Sequence, residues 1–229
     1  MLADAEISRT AALIADPTRS TLLWTLADGR ALPACELALE ARVGAPTISF
    51  HLGKLIAGGL VAAEKHGRHR YYRLADPALV GLLEQLATRS PAANARSFAE
   101  GQNGKKLRFA RSCYDHLAGR LGVLVTEKLV ASGCLAPAGL DYELSESGRD
   151  FFGRLGVDPS SLRTGRRAFA RACLDWSERR HHLAGALGAA WLRHLLQQEF
   201  LKRPPTGRAL LVTVTGRSFF EKELKLDLG

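Results

Sequence analysis

The chain has 229 residues, 46% of them apolar and 24% charged, with a formal net charge of +9. That length can bury one large core or two smaller ones, no apolar run is long enough to span a bilayer, and the positive balance favours an anionic partner such as nucleic acid. The start, Met1 to Glu6, lacks the basic and apolar segments of a signal peptide, so a cytoplasmic protein is expected.

In chain order, an amphipathic helix is expected from about Glu6 to Ala15, with Ile7, Ala11 and Ile14 on one face. Asp16 is a suitable N-cap for the next helix, with Pro17 at its first position. Leu22, Leu23 and Leu26 supply that helix's apolar face, and Gly29 ends it. A helix follows around Cys35 to Ala41. Gly44 breaks the chain, and Pro46 opens a helix whose apolar face is Ile48, Leu52 and Leu55. Gly58-Gly59 ends it. Residues 60–65 and 70–74 then read as two strands around a turn at Gly67. Asp76-Pro77 opens a last helix with Leu79, Leu82, Leu83 and Leu86 on one face. The order helix, tight turn, helix, basic hairpin is that of a winged helix-turn-helix.

The charge pattern agrees. Residues 44–73 set Lys54, Lys65, Arg68, Arg70 and Arg73 against Glu64 alone. Candidate DNA-binding residues are Pro46, Thr47, Ser49, Phe50, His51 and Lys54 on the recognition helix, and Arg68, His69 and Arg70 at the wing. Thr47, Ser49 and His51 can donate to phosphates or base edges, Phe50 can meet a thymine methyl, and Lys54 and the arginines supply charge. The two exposed apolar helices, first and last, suit a homodimer interface.

Residues 1–90 therefore form the expected DNA-binding and dimerisation domain. Residues 91–104, polar and rich in Ser, Pro, Asn and Gly, read as a linker. Residues 105–229 contain an internal repeat. Arg111-Ser112-Cys113-Tyr114-Asp115 matches Arg171-Ala172-Cys173-Leu174-Asp175, and His116-Leu117-Ala118-Gly119 matches His182-Leu183-Ala184-Gly185. Gly148-Arg149-Asp150-Phe151-Phe152 matches Gly216-Arg217-Ser218-Phe219-Phe220. The second copy carries an insertion, Trp176 to His181, before its histidine block. The copies are about 105–158 and 159–229, each expected as helix, helix, hairpin, helix, packed about a pseudo-two-fold axis. The fold class is mainly α with small β-hairpins.

The first 90 or so residues resemble the ArsR/SmtB family of winged-helix repressors. The matching segments are Ala15 to Arg19, Cys35 to Ala38, Thr47 to Leu52 with Leu55, Gly58 to Val61, and Gly67-Arg68 before Tyr71 to Leu74. The resemblance implies a homodimer that binds an operator and releases it when an inducer binds. Two departures bear on sensing. Where many members carry a Cys-x-Cys box, this chain has Pro33-Ala34-Cys35. Where others bind zinc on the last helix of the domain, residues 76–88 hold no histidine.

In the second half, Cys113, Asp115 and His116, with Cys173, Asp175 and His182, are the candidate effector residues. Nearby Arg111, Arg171, Arg179 and Arg180 would favour a thiolate. Two readings stand: small buried cysteines at a pseudo-symmetric helix contact, or a site for a small molecule, an oxidant or a thiophilic metal. No metal-ligand set is assigned, because residues i, i+2 and i+3 of a helix do not converge and His182 lies nine residues beyond Cys173. The four cysteines form no CxxC pair and are expected as free thiols. No catalytic motif occurs, and no cofactor is required. The function expected is a DNA-binding transcriptional regulator, a repressor released by an effector sensed in the second half. The alternative is a DNA-binding module fused to an enzymatic or constitutive interaction domain.

Overall fold

A computed structural model of the chain describes residues 7–66, 69–91, 102–164 and 167–228. The chain divides into two compact units, Met1–Glu100 and Gly101–Gly229. Among the described residues, no helix is long and apolar enough to cross a membrane.

The first unit runs α1 (Ile7–Ala15), α2 (Pro17–Leu26), β1 (Leu32–Pro33), α3 (Ala34–Ala41), α4 (Ala45–Ala57), β2 (Val61–His66), β3 (His69–Leu74) and α5 (Leu79–Arg89). Asp16 caps α2 by accepting from the Arg19 amide at 2.9 Å, and Pro17 sits where no amide donor is needed. The turn between α3 and α4 is made by Arg42, left-handed at φ 54°. Leu37 of α3 and Ile48, Leu52 and Leu55 of α4 then meet Leu22, Leu23 and Leu26 of α2 in one apolar core. β2 and β3 form the wing hairpin, and β1 adds to the outer side of β3. The last helix begins later than expected. Asp76 accepts from the Ala78 amide at 2.8 Å, so the segment expected to open the helix is a turn and α5 starts at Leu79.

The second unit runs α6 (Gln102–Phe109), β4 (Arg111–Cys113), β5 (His116–Ala118), α7 (Gly119–Ala131), β6 (Leu135–Ala138), β7 (Asp141–Leu144), α8 (Glu146–Arg154), β8 (Arg171–Leu174), β9 (His181–Ala184), α9 (Gly185–Gln197), β10 (Leu201–Lys202), β11 (Leu211–Val212) and α10 (Val214–Leu224). This corrects the expected helix, helix, hairpin, helix order. The Arg-x-Cys blocks are not helical. Each opens a hairpin, so the succession hairpin, helix, hairpin, helix occurs twice. The expected linker is also shortened: residues 102–104 belong to α6, and 92–101 lie outside the described residues.

The hairpins pair across the two halves of this unit. The Ala172 amide donates to Leu140 O at 3.0 Å, and the Tyr142 amide to Ala170 O at 2.7 Å. At the other end, the Ser112 amide donates to Arg208 O at 3.0 Å, and the Leu210 amide to Ala110 O at 2.9 Å. The opening hairpin of each half is thus bonded to the closing hairpin of the other. The interior is filled by Leu121, Leu129, Leu187, Leu195 and an aromatic cluster of Phe151, Phe152, Trp191 and Phe219.

Glycines in the matched blocks explain why the blocks repeat. Gly119 and Gly185 open α7 and α9 at φ +80° each, where only glycine is unstrained. One turn later, Gly122 and Gly188 lie against backbone: a Cβ on Gly122 would sit 2.6 Å from Leu117 O and 3.5 Å from the His182 Cβ. A Cβ on Gly188 would run into Leu183 O and lie 3.3 Å from the His116 Cβ. Each glycine is required by the close approach of the preceding strand's carbonyl, Leu117 O or Leu183 O, and the histidine of the opposite hairpin packs beside it. Gly122→Ala and Gly188→Ala are therefore expected to destabilise the second unit by about 2–4 kcal/mol each. Gly153→Ala, with open space around it, is expected to cost nothing or to stabilise by up to about 1 kcal/mol. Urea unfolding followed by circular dichroism separates these outcomes.

Candidate functional site

The first candidate surface is α4 with the wing. Burial of Ile48, Leu52 and Leu55 fixes the rotation of α4, and leaves Pro46, Thr47, Ser49, Phe50 and Lys54 exposed on its other side. Lys54 Nζ stands 4.4 Å above the Phe50 ring, a cation–π contact that holds both side chains on one patch. Ser49 Oγ donates back to Ala45 O at 2.9 Å, leaving its lone pairs outward. Arg70 of β3 is exposed and lies over the Tyr72 ring at 5.5 Å. Arg73 is drawn across the hairpin to Glu64 at 2.6 Å, which removes it from the basic set. Arg68 lies outside the described residues, and of His69 only the backbone is described.

His51 is the correction on this helix. It is buried, and its Nδ1 lies 3.5 Å from Asp16 Oδ1, so it packs against the α2 cap and does not present itself to DNA. Backbone hydrogen bonding from Arg19, with the Arg19 and His51 charges, outweighs partial burial and holds the Asp16 carboxyl below its usual range.

The second candidate is a polar cluster inside the second unit. In β4–β5, Cys113 and His116 are directly opposed partners; in β8–β9, Cys173 and His182 are. Opposed residues in an antiparallel pair share a face, so each hairpin offers one thiol and one imidazole side by side. The two hairpins abut. Their ligand atoms, two Sγ and two ring nitrogens, all lie within 4.8 Å of one another. His116 Nε2 and His182 Nε2 are 3.2 Å apart. Both histidines are buried and both cysteines half-buried.

Carboxylates stand behind both rings. Asp175 Oδ2 lies 3.1 Å from His182 Nδ1, and Asp115 Oδ1 lies 3.4 Å from His116 Nδ1. Asp115 is gripped by both Arg167 guanidinium nitrogens, one at 2.8 Å. Asp175, wholly buried, accepts from Arg111 Nη2 at 2.9 Å, the Gly119 amide at 2.8 Å and Ser177 Oγ at 2.7 Å. Hydrogen bonding from Arg167 keeps the Asp115 carboxyl low. Burial opposes the charged form of Asp175, but His182, Arg111 and Ser177 together hold its carboxyl far below the usual range. For His182, burial disfavours the imidazolium, yet Asp175 and the adjacent Cys113 more than offset it and raise its pKa.

All six expected effector residues therefore meet, and they do so because the blocks are hairpins. Two expected thiolate-stabilising cations are committed elsewhere: Arg111 to Asp175, and Arg180 to Glu127 at 2.7 Å. Arg167, which orients Asp115, carries no signal in the sequence that sets it apart from other arginines. An open groove of about 370 Å3, which none of the four cluster residues lines, is bounded by residues including Thr126, Tyr142, Ala172 and His181.

The family model for bacterial regulatory proteins of the arsR family matches residues 16–63, the span of α2, α3, α4 and the start of the wing. YdfF of Bacillus subtilis (strain 168), an uncharacterized HTH-type transcriptional regulator, is 47% identical over 222 residues, covering 97% of this chain and 98% of its own. The chain belongs to the arsR family. It is a transcriptional regulator with a DNA-binding helix-turn-helix. The regulator CmtR of Mycobacterium tuberculosis (strain ATCC 25618 / H37Rv) is 36% identical over 83 residues, 36% of this chain and 70% of its own. An NMR structure of CmtR, described as a cadmium metal-sensor, is 38% identical, covers 34% of this chain and 81% of that one, and has a TM-score of 0.31. The arsR-family match ends at residue 63, so the cluster around Cys113 and Cys173 lies beyond the part that the family model describes.

Asp16 anchors the arsR-family segment at its first residue. Asp16→Ala is expected to lower the stability of the first unit by about 1 kcal/mol through loss of the cap. Because the folded pKa is depressed, this contribution is complete above the ordinary carboxylate range and fades as pH falls through the lower folded value. Urea midpoints of wild type and Asp16→Ala should thus stay separated at pH 7, begin to converge below about pH 4 and meet only below the depressed folded value.

Proposed function

We propose that this arsR-family regulator is a homodimeric, operator-binding repressor acting in the cytoplasm, whose second unit is a duplicated module that senses the effector. The observation that carries the DNA-binding geometry is the division of α4 into two faces. Ile48, Leu52 and Leu55 hold one face in the core, and Thr47, Ser49, Phe50 and Lys54 stand exposed on the other. A helix held this way enters the major groove with its N-terminal half against base edges, while the wing approaches backbone or minor groove.

The dimer rests on apolar surface that the first unit leaves exposed. α1 buries none of its residues, and Ile7 is 75% exposed. On α5, Leu82 and Leu86 are exposed although Leu83 is buried in the core. A second copy covers such faces at low cost, and two copies read a two-fold operator. Release by an effector requires a ligand that favours one dimer geometry over another. The buried cluster of the second unit supports that role, since it concentrates two thiols and two imidazoles in one place.

Arg70→Ala is expected to weaken binding to specific and random duplex by similar factors and to reduce the slope of log affinity against log salt by about 1. Thr47 and Ser49 substitutions should instead change sequence preference, by about 1–3 kcal/mol per altered contact. Fluorescence anisotropy on the chain's own promoter and on shuffled duplex measures both. Equal loss on all sequences for Thr47 and Ser49 would remove the base-reading role. For the dimer, light scattering should give twice the chain mass for wild type and a monomer for Leu82→Glu with Leu86→Glu.

A further inference from the structure

We propose that Cys113, His116, Cys173 and His182 bind one divalent thiophilic cation of the zinc class in a closed tetrahedral site between the β4–β5 and β8–β9 hairpins. The proposal deepens the effector reading and, for regulation, rests on it.

The donor set is the first ground. Two thiolates and two imidazoles are a standard structural zinc shell, with Zn–S near 2.3 Å and Zn–N near 2.0–2.1 Å. A tetrahedron of those bonds has edges of roughly 3.3–3.8 Å between ligand atoms. The four ligand atoms here fall within 4.8 Å of one another, and the two nitrogens are already 3.2 Å apart.

The second ground is the tautomer. Each Nδ1 faces a carboxylate, Asp175 at 3.1 Å and Asp115 at 3.4 Å, which makes Nδ1 the protonated nitrogen. In the neutral rings both Nε2 atoms are then acceptors. Two buried ring nitrogens facing each other at 3.2 Å need a proton or a metal ion between them, and a metal ion is the one that the two thiols beside them would also hold. Carboxylate, imidazole and metal in series is the arrangement that orients metal-bound histidines and raises their basicity.

Charge is the third. Arg167 neutralises Asp115, and Arg111 neutralises Asp175. What is left is two thiolates, which one divalent cation balances, so the occupied site is close to neutral where burial penalises net charge. Four protein ligands leave no open coordination position, so the site holds a metal without offering it to a substrate. The half-exposed cysteines give the ion its route in.

The test uses full-length protein, reduced, treated with chelator and reloaded with zinc alone or cobalt alone. The expected result is one ion per chain. The cobalt form should show tetrahedral ligand-field bands with a thiolate charge-transfer band. Zinc-edge X-ray absorption should fit two sulfurs near 2.3 Å and two nitrogens near 2.0–2.1 Å. Cys113→Ser and Cys173→Ser should each weaken the charge-transfer band. Asp115→Asn should keep the stoichiometry and lose affinity by about 10–100-fold, which a merely structural aspartate would not do. The wild-type absorption data decide the matter even if the cysteine variants fail to fold. A chain that takes up less than one ion, or one whose zinc shell holds no sulfur, overturns the proposal and leaves a shared proton between the histidines. DNA affinity of zinc-loaded against chelated protein is read separately. If one zinc binds through this shell but DNA affinity is unchanged, the site stands and the effector reading falls.

Discussion

Asp175 has no exposed surface, and its charge is the constraint around which the second unit is arranged. Removing a carboxylate from water costs several kcal/mol unless its lone pairs are filled. They are filled here both from distant parts of the chain and from the residues that follow it. Arg111 reaches it from the opening hairpin of the first half, and Gly119 from the start of α7. Ser177 and Glu178 donate from the segment that the second copy alone possesses. Trp176 of the same segment stacks on Arg111, whose guanidinium carbon lies 4.6 Å from the ring centre. The extra six residues of the second copy are thus the housing of a buried ion pair. With Asp175 fixed, His182 is fixed, and the two hairpins have one relative position.

The pseudo-symmetry is therefore broken where charge is concerned and kept where shape is concerned. Asp115 does its work at the surface with Arg167, whereas Asp175 does it in the interior with Arg111. The glycines, by contrast, are the same in both halves, because each must clear the backbone carbonyl of the strand before its helix, Leu117 O or Leu183 O. Backbone clearance admits few solutions, and a carboxylate admits several partners.

Legibility from sequence followed the length of the elements. α4 was readable because three apolar residues at helical spacing lie between a glycine break and a double glycine. The wing was readable from its turn and aromatic strand. A polar residue beside exposed ones looks exposed, yet His51 is buried. Its burial depends on Asp16, 35 positions earlier, which periodicity does not see. The β4–β5 hairpin is hidden in the sequence for a different reason. Its strands have three residues each, too few to show alternation. Its turn uses Tyr114 at φ 57° with 86% of its surface exposed, so no glycine or asparagine marks it. In β8–β9 the corresponding left-handed residue is Arg179. Reading those turns as helix separated the ligand atoms that the hairpins bring together.

The crossed pairing of the hairpins also sets an order of events during synthesis. β4 finishes its edge only against Ala209, 98 positions further along the chain. At a translation rate of about 5–20 residues per second, that partner emerges about 5–20 seconds later. Until His182 emerges, 66 positions after His116, Cys113 and His116 exist on the nascent chain without the opposite hairpin that completes their surroundings. The first unit has no such wait, since its hairpin and helices are contiguous in sequence. A regulator built this way acquires its DNA-binding head first, the ligating residues of its interior polar centre once β8–β9 has emerged, and the outer edge of β4 last.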